Sequence, residues 1–150
     1  VTAALQLLNA RIEGCHLKLH LDYIDQQLTI DQTRLEQILV NLLVNALDAM
    51  QAQPERQLWL SGQAADGVYR LQVRDNGPGI PLALRKHLFE PFFTTKPGEQ
   101  GLGLGLTLSA SLAVAAAGSL AVQYPEAGGT AFELCLPLAT PSPVESPTDA

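Results

Sequence analysis

Two asparagines, one aspartate and a run of glycines are the residues of this chain whose types and spacing could do chemistry. Asn41 and Asn45 lie in the segment 34–50, which is almost wholly apolar from Ile38 onward. On a helix with about 100° between successive residues, both asparagines fall on one narrow polar stripe. A helix that is apolar around most of its circumference is buried, so this stripe must face something polar. The stripe also contains Arg34, Gln37 and Asp48.

Solvent is the simplest partner for such a stripe, but the residue types favour a ligand. Surface stripes usually carry long Lys and Glu side chains, whereas asparagine is a poor helix former. The amide oxygens of Asn41 and Asn45 are hard ligands suited to Mg²⁺, which shares its coordination shell with water and substrate phosphates. The helix therefore predicts a ligand-binding face.

The stretch "RDNGPGIP" (74–81) places one carboxylate, Asp75, directly before two glycines. One interpretation is an Asx-type turn, for which this composition is well suited. The other is that Gly77 and Gly79 let the backbone approach a flat ligand closely, while Asp75 accepts a hydrogen bond from an exocyclic amine. The stretch alone supports both interpretations equally.

The stretch "TTKPGEQGLGLGLTLS" (94–109) alternates glycine and leucine just before an apolar helix. It fits neither the dinucleotide pattern G-x-G-x-x-G nor the phosphate-binding loop G-x-x-x-x-G-K-[ST]. Glycines at a helix start still expose successive N–H groups where the helix dipole is positive, and Lys96 adds a full charge. A flexible surface loop is the alternative, but it leaves the interleaved leucines without apolar partners.

The elements that must position these residues mix helices with strands. Helices are predicted at 2–13, at 31–50 with Asp31 as N-cap, from Pro81 through His87, and at 104–117. Strands are predicted at 16–22 with a short partner near 28–30, and at 57–63, 68–74, 119–124 and 130–136. This mixture predicts an α+β fold, one mixed sheet with helices packed on one face. The tail 139–150 is rich in Pro, Ser and Thr, so we expect it to be disordered.

The bulk composition excludes several classes of function. The chain has 150 residues, enough for one domain, and a formal net charge of −6, which argues against a nucleic acid or an anionic membrane as the main partner. Cys15 and Cys135 lie in apolar segments without a metal-ligand spacing, so we expect two buried, reduced thiols. The longest apolar run is too short to span a bilayer, and no signal peptide is visible. We expect a soluble piece, which could belong to a membrane protein.

Taken together, the motifs resemble the catalytic, ATP-binding domain of bacterial sensor histidine kinases. This family belongs to the superfamily of gyrase, heat-shock chaperone and MutL ATPases. "NLLVNALDA" is similar to its N box, "DNGPGI" to the first glycine box, "LFEPFFTTK" to the F box and "GLGLGL" to the second glycine box, while "GGTAFELCLP" resembles the closing strand. The resemblance covers 1–138, implies a two-layer α/β sandwich of the Bergerat type with a short ATP lid, and looks closest to dicarboxylate- and nitrogen-responsive kinases.

The resemblance implies a role for each site residue. Asp75 would bind the adenine amino group, with Gly79 beneath the ring and Thr130 assisting through water. Asn45 would ligate Mg²⁺, and Asn41 would lie beside the phosphates. The implied nucleotide contacts also include Gly77, Ile80, Lys96, Gly101, Leu102, Gly103, Leu104 and Gly105, of which Lys96 and the glycine amides would hold the β- and γ-phosphates. Phe89, Phe92 and Phe93 would latch the lid or dock on a partner domain, although core packing is equally expected for Phe89.

Asn41 decides between a kinase and an ATPase. In the hydrolytic relatives a glutamate at the matching position activates water, whereas an amide cannot act as a general base. Glu36 does not replace it, because it lies about 140° away around the helix. Asn41 and Lys96 are therefore the implied catalytic residues, acting by positioning and charge neutralisation. An ATPase and a non-catalytic nucleotide-binding module, as in anti-sigma relatives, remain the alternatives.

The partner that accepts the phosphoryl group is expected outside this chain. His16, His20 and His87 lack the acidic residue and proline that follow the family's acceptor histidine, so they are interpreted as structural or surface residues. The acceptor would lie on an upstream dimerisation domain of a homodimeric, membrane-anchored sensor, whose cytoplasmic part includes this piece, itself a monomer. A response regulator would follow indirectly. Asp48 departs from the basic or neutral residue of many relatives, and Lys96 is the only cation of a short lid, which predicts modest nucleotide affinity.

Overall fold

The computed structural model describes residues 2–22, 28, 30–90 and 105–138. Within these ranges the chain mixes helices and strands. The elements follow in the order α1 (Thr2–Leu7), α2 (Asn9–Ile12), β1 (Cys15–Leu21), α3 (Gln32–Ala49), β2 (Arg56–Ala65), β3 (Val68–Asp75), a 3₁₀ helix (Leu82–His87), α4 (Gly105–Ala115), β4 (Ser119–Gln123) and β5 (Thr130–Pro137).

The five strands form one mixed sheet in the order β1-β2-β3-β5-β4. β1 pairs with β2 in parallel, and all other neighbours are antiparallel. β2 and β3 are joined through Asp66 and Gly67, which both have positive φ, as a tight hairpin turn requires. β3 is the central strand, and its last residue, Asp75, lies between Leu58 of β2 and Thr130 of β5.

One face of the sheet is covered by helices, and alternating burial in the strands shows which face it is. Buried residues alternate along all of β3, in the middle of β2 and in β5 from Phe132 onward, as expected when strand side chains point alternately to opposite faces. The core residues are Leu58, Leu60, Leu71, Val73, Phe132 and Leu134 from the strands, with Ile38, Leu39, Leu42, Leu43, Ala46 and Leu47 from α3. This two-layer arrangement confirms the predicted α+β fold.

The predicted helix that carries the polar stripe is confirmed, including its start. The side chain of Asp31 accepts a hydrogen bond from the backbone N–H of Arg34 at 2.8 Å, so Asp31 is the N-cap of α3. The Arg34 guanidinium also bonds this carboxylate, which lowers the pKa of Asp31 together with the backbone hydrogen bond. Arg34 is thereby held at the exposed start of the helix.

Three expectations were wrong in detail. The helix predicted at 2–13 is broken at Leu8, whose φ of −107° and ψ of 15° leave the helical region; apolar spacing continues across the break, so periodicity does not reveal it. The short strand near 28–30 is not the partner of β1: Leu28 makes a single antiparallel bridge with Leu138, while β1 pairs with β2 over its whole length. Cys15 and Cys135 are free thiols but only partly buried.

Two further expectations concern the chain ends and the membrane. Among the described residues, no helix is long and apolar enough to cross a bilayer. The tail 139–150 lies outside the described residues, so the domain boundary at 138 stays a prediction.

Candidate functional site

Asp75 is a buried carboxylate at the end of the central strand. Its side chain points to the helix-covered face, and the residue is only 2% exposed. Burial raises the pKa of Asp75 to about 6, against the opposing effects of backbone N–H groups of Gly77 and Thr130 and of the Arg74 charge. Burying a carboxylate is costly, and carboxylates whose pKa is raised in this way cluster at functional sites.

The turn after Asp75 is tied down by Asn76. The Asn76 side chain accepts a hydrogen bond from the Gln57 N–H at 3.0 Å and donates one to the Glu55 carbonyl at 2.8 Å. The Asn76 carbonyl accepts a further bond from the Gln53 side chain at 2.7 Å. These contacts fix the point at which the chain leaves the sheet. Asn76 was not assigned a role from the sequence, although an asparagine in a turn is the signal that could have indicated one.

Gly77 brings this turn close to the end of α3. Its N–H donates to Oδ1 of Asp75 at 2.8 Å, so the Asx-type turn predicted from the sequence is present. A Cβ at Gly77 would lie 2.7 Å from the carbonyl oxygen of Ala49, which only glycine avoids. The turn and the ligand interpretation of this stretch are therefore compatible, because a carboxylate that accepts one N–H within a turn has further lone pairs for a second donor.

Gly79, Ile80 and Thr130 surround the same corner of the sheet. Gly79 has a φ of +81°, and its missing side chain would point toward the Gly129 carbonyl at 3.4 Å. Gly129 itself packs so closely on the Asp75 carbonyl that a Cβ there would lie 2.0 Å away. Thr130 is 4% exposed and sits directly opposite Asp75 in the sheet. The structure thus brings together the predicted adenine-side residues.

Asn41 joins α3 to the start of α4. Its Nδ2 donates to Oγ of Ser109 at 3.1 Å and to the Gly105 carbonyl oxygen at 3.4 Å. Ser109 is completely buried, which makes Asn41 one of the contacts that place the N-terminal end of α4 against α3. Because Nδ2 is used in this way, Oδ1 is the atom of Asn41 that remains for other contacts. Gly105, a predicted phosphate contact, is the first residue of α4.

Asn45 and Asp48 continue the stripe toward the end of α3. Asn45 is partly exposed one turn beyond Asn41, on the same side of the helix. Asp48 forms an ion pair with Arg11 of α2 at 2.7 Å, and its side chain is 15% exposed. The negative charge of Asp48 is therefore compensated from within the fold. Arg11 was missed from the sequence, because nothing in its own segment indicates a partner 37 residues away.

Several predicted residues lie outside the part of the chain that the structure describes. These are Phe92, Phe93, Lys96, Gly101, Leu102, Gly103 and Leu104. Phe89, the remaining phenylalanine of the F box, packs edge-to-face on Phe132 with ring centroids 6.5 Å apart. Its carbonyl accepts a hydrogen bond from the Thr107 hydroxyl at 2.8 Å. Core packing is thus the observed role of Phe89.

A divalent cation would find amide rather than carboxylate ligands at this site. Within the described residues, no group of three or more His, Cys, Asp or Glu side chains could hold a metal ion. The donor set on α3 consists of the oxygens of Asn41 and Asn45. Such a set fits Mg²⁺, which is commonly held by few protein ligands together with waters and substrate phosphates.

The family model for "Histidine kinase-, DNA gyrase B-, and HSP90-like ATPase" matches residues 30–140. The chain belongs to this family. The matched range contains Asn41, Asn45, Asp75, Thr130 and the whole glycine run. The family is one of ATPases, so membership indicates that the nucleotide ligand of this histidine kinase-type domain is ATP.

Among curated proteins, sensor kinases are the relatives of this histidine kinase-type domain. The C4-dicarboxylate transport sensor protein DctB of Pseudomonas aeruginosa is 39% identical over 137 residues, covering 89% of this chain and 22% of the relative. The sensor protein FixL of Bradyrhizobium diazoefficiens is 36% identical over 137 residues, covering 91% of this chain and 27% of the relative. The chain therefore spans about a quarter of their length. A dicarboxylate sensor among them agrees with the predicted subgroup.

Solved structures of the family share the fold. The catalytic domain of the histidine kinase ThkA superposes with a TM-score of 0.78 at 28% identity, covering 91% of this chain and 88% of that one. Full-length ShkA, solved in complex with AMPPNP, gives a TM-score of 0.77 at 29% identity, covering 93% of this chain and 29% of that one. This histidine kinase-type domain thus has the architecture that the motifs predicted.

Proposed function

We propose that this chain binds Mg-ATP and donates the γ-phosphoryl group to a histidine on a dimerisation and phosphoacceptor domain outside this chain. The observation that carries the proposal is the buried Asp75 carboxylate at the end of β3, set between the Gly77 turn and Thr130. The full protein that contains this domain would act in two-component signalling, as a sensor kinase.

The adenine end of the proposed site is supported by its geometry. Asp75 is the only buried acidic side chain among the described residues, and a buried carboxylate that faces a neutral N–H donor gives a strong, directional hydrogen bond. Gly79 would let the backbone lie against the base, and Ile80 would add an apolar contact. Thr130, directly across the sheet from Asp75, would reach the base through water.

The phosphate end of the proposed site lies along α3 and the start of α4. Asn45 would hold Mg²⁺, which supplies charge neutralisation on the β- and γ-phosphates when it is bound. Asn41 would lie beside the phosphates through Oδ1, since its Nδ2 is used on α4. Lys96, the amides of Gly101, Gly103 and Gly105, and the neighbouring residues Leu102 and Leu104 would complete this end.

The acidic side chains of α3 favour phosphoryl transfer over rapid hydrolysis of ATP. Asn41 has no carboxylate, and Asp48 is engaged by Arg11 at 2.7 Å. Glu36 accepts a hydrogen bond from Gln32 at 2.9 Å on another side of the helix. No acid of α3 is therefore free to activate water beside Asn41, which leaves ATP available for an external nucleophile.

The proposed assembly extends beyond this chain. The phosphoacceptor domain would belong to the same kinase, the full-length protein would be a homodimer, and a response regulator would receive the phosphoryl group afterwards. The whole kinase is proposed to be anchored in the membrane, with this domain on the cytoplasmic side. His16 and His20 lie in β1, and His87 is the last residue of the 3₁₀ helix.

Calorimetric titration of the chain with a non-hydrolysable ATP analogue, with and without Mg²⁺, tests the proposed site. We expect magnesium-dependent binding that weakens by about 1.5–3 kcal/mol in Asp75→Asn, the value of a hydrogen bond to a charged group. Asn45→Ala should remove most of the magnesium dependence while leaving weak metal-free binding. Gln37→Ala, on the same stripe but outside the predicted contacts, is the matched control.

Two results would contradict the site. Unchanged affinity of Asp75→Asn would reject the adenine assignment, and equal magnesium dependence in Asn45→Ala and the parent would reject the metal assignment. Absence of binding at millimolar nucleotide would reject the proposed function as a whole.

A further inference from the structure

An arginine–aromatic contact lies next to the proposed base pocket, on residues outside the predicted motif contacts. The guanidinium carbon of Arg85, in the 3₁₀ helix, lies 3.7 Å from the ring centroid of Tyr124. The Nε of the same side chain donates a hydrogen bond to the Ile80 carbonyl at 3.0 Å. One side chain therefore links the turn after β3 to the segment after β4.

Tyr124 directly follows β4, and its position places the link beside Asp75. β4 ends with Gln123 opposite Ala131, so Tyr124 comes level with Thr130, which is itself opposite Asp75. The Tyr124 hydroxyl oxygen is buried and has no hydrogen-bond partner within the described part of the chain. A buried tyrosine hydroxyl normally makes a hydrogen bond. Because this one makes none with a described residue, the ring is held at the corner by packing, of which the contact with Arg85 is a part.

We propose that Arg85 and Tyr124 are a positioning pair that holds the Gly79–Ile80 backbone at the edge of the base pocket. The inference rests on the proposed nucleotide-binding function and adds two residues to it. The Gly79–Ile80 segment belongs to no strand, and a neighbour lies on each side: the Gly129 carbonyl near Gly79 and the Arg85 side chain at Ile80. Neither residue of the pair is assigned a contact with nucleotide.

Arginine is the residue type that this arrangement needs. Its planar guanidinium can stack on an aromatic ring while Nε–H donates in the plane, whereas lysine offers a point charge without that geometry. Loss of a cation–π contact of this kind corresponds to about a 2- to 30-fold change in an equilibrium constant. We therefore expect a change of that size in nucleotide affinity when the pair is broken.

Four variants and one matched control test the pair. Tyr124→Leu and Arg85→Gln break the stacking, Arg85→Lys keeps the charge without the Nε donor, and Tyr124→Phe keeps the ring. The control is Trp59→Leu, which removes the contact of Arg74 with Trp59 at 4.7 Å on the uncovered face of the sheet. Each purified chain is measured twice, by hydrogen exchange of amides 76–82 without nucleotide and by calorimetry with the magnesium complex of AMPPNP.

We expect faster exchange over 76–82 and about 2- to 30-fold weaker binding in Tyr124→Leu, Arg85→Gln and Arg85→Lys. Tyr124→Phe and Trp59→Leu should match the parent in both measurements, and thermal melting identifies any variant that is destabilised globally. The Tyr124→Phe result is the rescue that distinguishes positioning by the ring from general destabilisation.

Unchanged exchange in Tyr124→Leu, or an equal effect of Trp59→Leu, would overturn the pair. Faster exchange with parental affinity would overturn its role in nucleotide binding. If the parent chain binds no nucleotide, the proposed function fails, whereas the exchange measurement still decides whether the pair holds the 76–82 segment.

Discussion

At the scale of single residues, Asp75 combines a cost in stability with a proposed role in binding. Its carboxylate is 2% exposed, and burial raises its pKa to about 6. The unfolded chain carries this group with a pKa near 3.8. Between these two values the folded protein binds more protons than the unfolded one, so the stability of the nucleotide-free domain falls as the pH rises. The same ionised form is the one that accepts a hydrogen bond from an amine.

We therefore predict opposite pH dependences for folding and for nucleotide binding. Relative to Asp75→Asn, the parent should lose about 2 kcal/mol of unfolding free energy between pH 4 and 6, because each pKa unit corresponds to about 1.4 kcal/mol and the titration is incomplete at both ends of this range. Parental nucleotide affinity should instead fall as the pH is lowered through about 6, the pKa of Asp75. Urea denaturation and calorimetric titration at several pH values measure the two effects.

The difference between parent and variant isolates Asp75, because the other titrating groups are common to both. Parallel pH profiles of unfolding free energy in the two proteins would show that the Asp75 carboxyl titrates alike in the folded and unfolded chains. An affinity that is independent of pH between 5 and 7 would remove Asp75 from the base contact.

At the scale of elements, the α3–α4 contact positions the proposed phosphate end of the site. Asn41 bonds the buried hydroxyl of Ser109 at 3.1 Å and the first carbonyl of α4 at 3.4 Å. Apolar residues lie on all sides of α4, so no apolar stripe determines which side of the helix faces α3. This polar contact is therefore a specific restraint on how α4 lies against α3.

We predict that Ser109→Ala lowers the unfolding free energy by about 1 kcal/mol, the net value of one hydrogen bond, because it leaves the Asn41 amide short of an acceptor. Ser111→Ala is the matched control on the same helix: Ser111 is exposed, and alanine is the better helix former. The control should be neutral or slightly stabilising in urea denaturation. Equal effects of the two substitutions would mean that the Asn41–Ser109 contact contributes nothing to stability.

At the scale of the whole molecule, the chain holds the nucleotide-side half of a proposed phosphotransfer reaction. It spans 22% and 27% of the two sensor proteins compared above. Those predicted nucleotide contacts that lie within the described residues come from α3, the turn after β3, the start of α4 and β5, which the fold brings together. In the proposed reaction, the nucleophile belongs to a domain outside this chain.

We predict that the isolated chain hydrolyses ATP slowly and transfers the γ-phosphoryl group once a phosphoacceptor domain is supplied. Radiolabelled ATP should yield a base-stable, acid-labile phosphohistidine on that domain, and Asp75→Asn should reduce the yield in proportion to its nucleotide occupancy. Rapid phosphate release without an acceptor would favour an ATPase instead. Nucleotide binding with no transfer to the acceptor domain of the same kinase would indicate a non-catalytic regulatory module.

The sequence by itself determined most of the elements and the residue types of the candidate site. Asp31 and the apolar spacing after it specify α3, because capping and 3.6-residue periodicity are local properties. Alternation gives β2, β3 and β5. The Asp75–Gly79 stretch specifies its own turn, because an aspartate side chain bonds the backbone two residues on and glycine allows positive φ. The order of the motifs then indicated the family.

Only the tertiary structure decided what lies next to what. The pairing of β1 with β2, the ion pair between Arg11 and Asp48 and the link from Arg85 to Tyr124 all join residues distant in sequence. No local pattern encodes such contacts, because they depend on how the helices and strands pack and on which charges burial leaves to be compensated. The costly burial of Asp75 is likewise a property of the assembled sheet and helices, since the carboxylate loses its water only when β3, β5 and the glycine turn close around it.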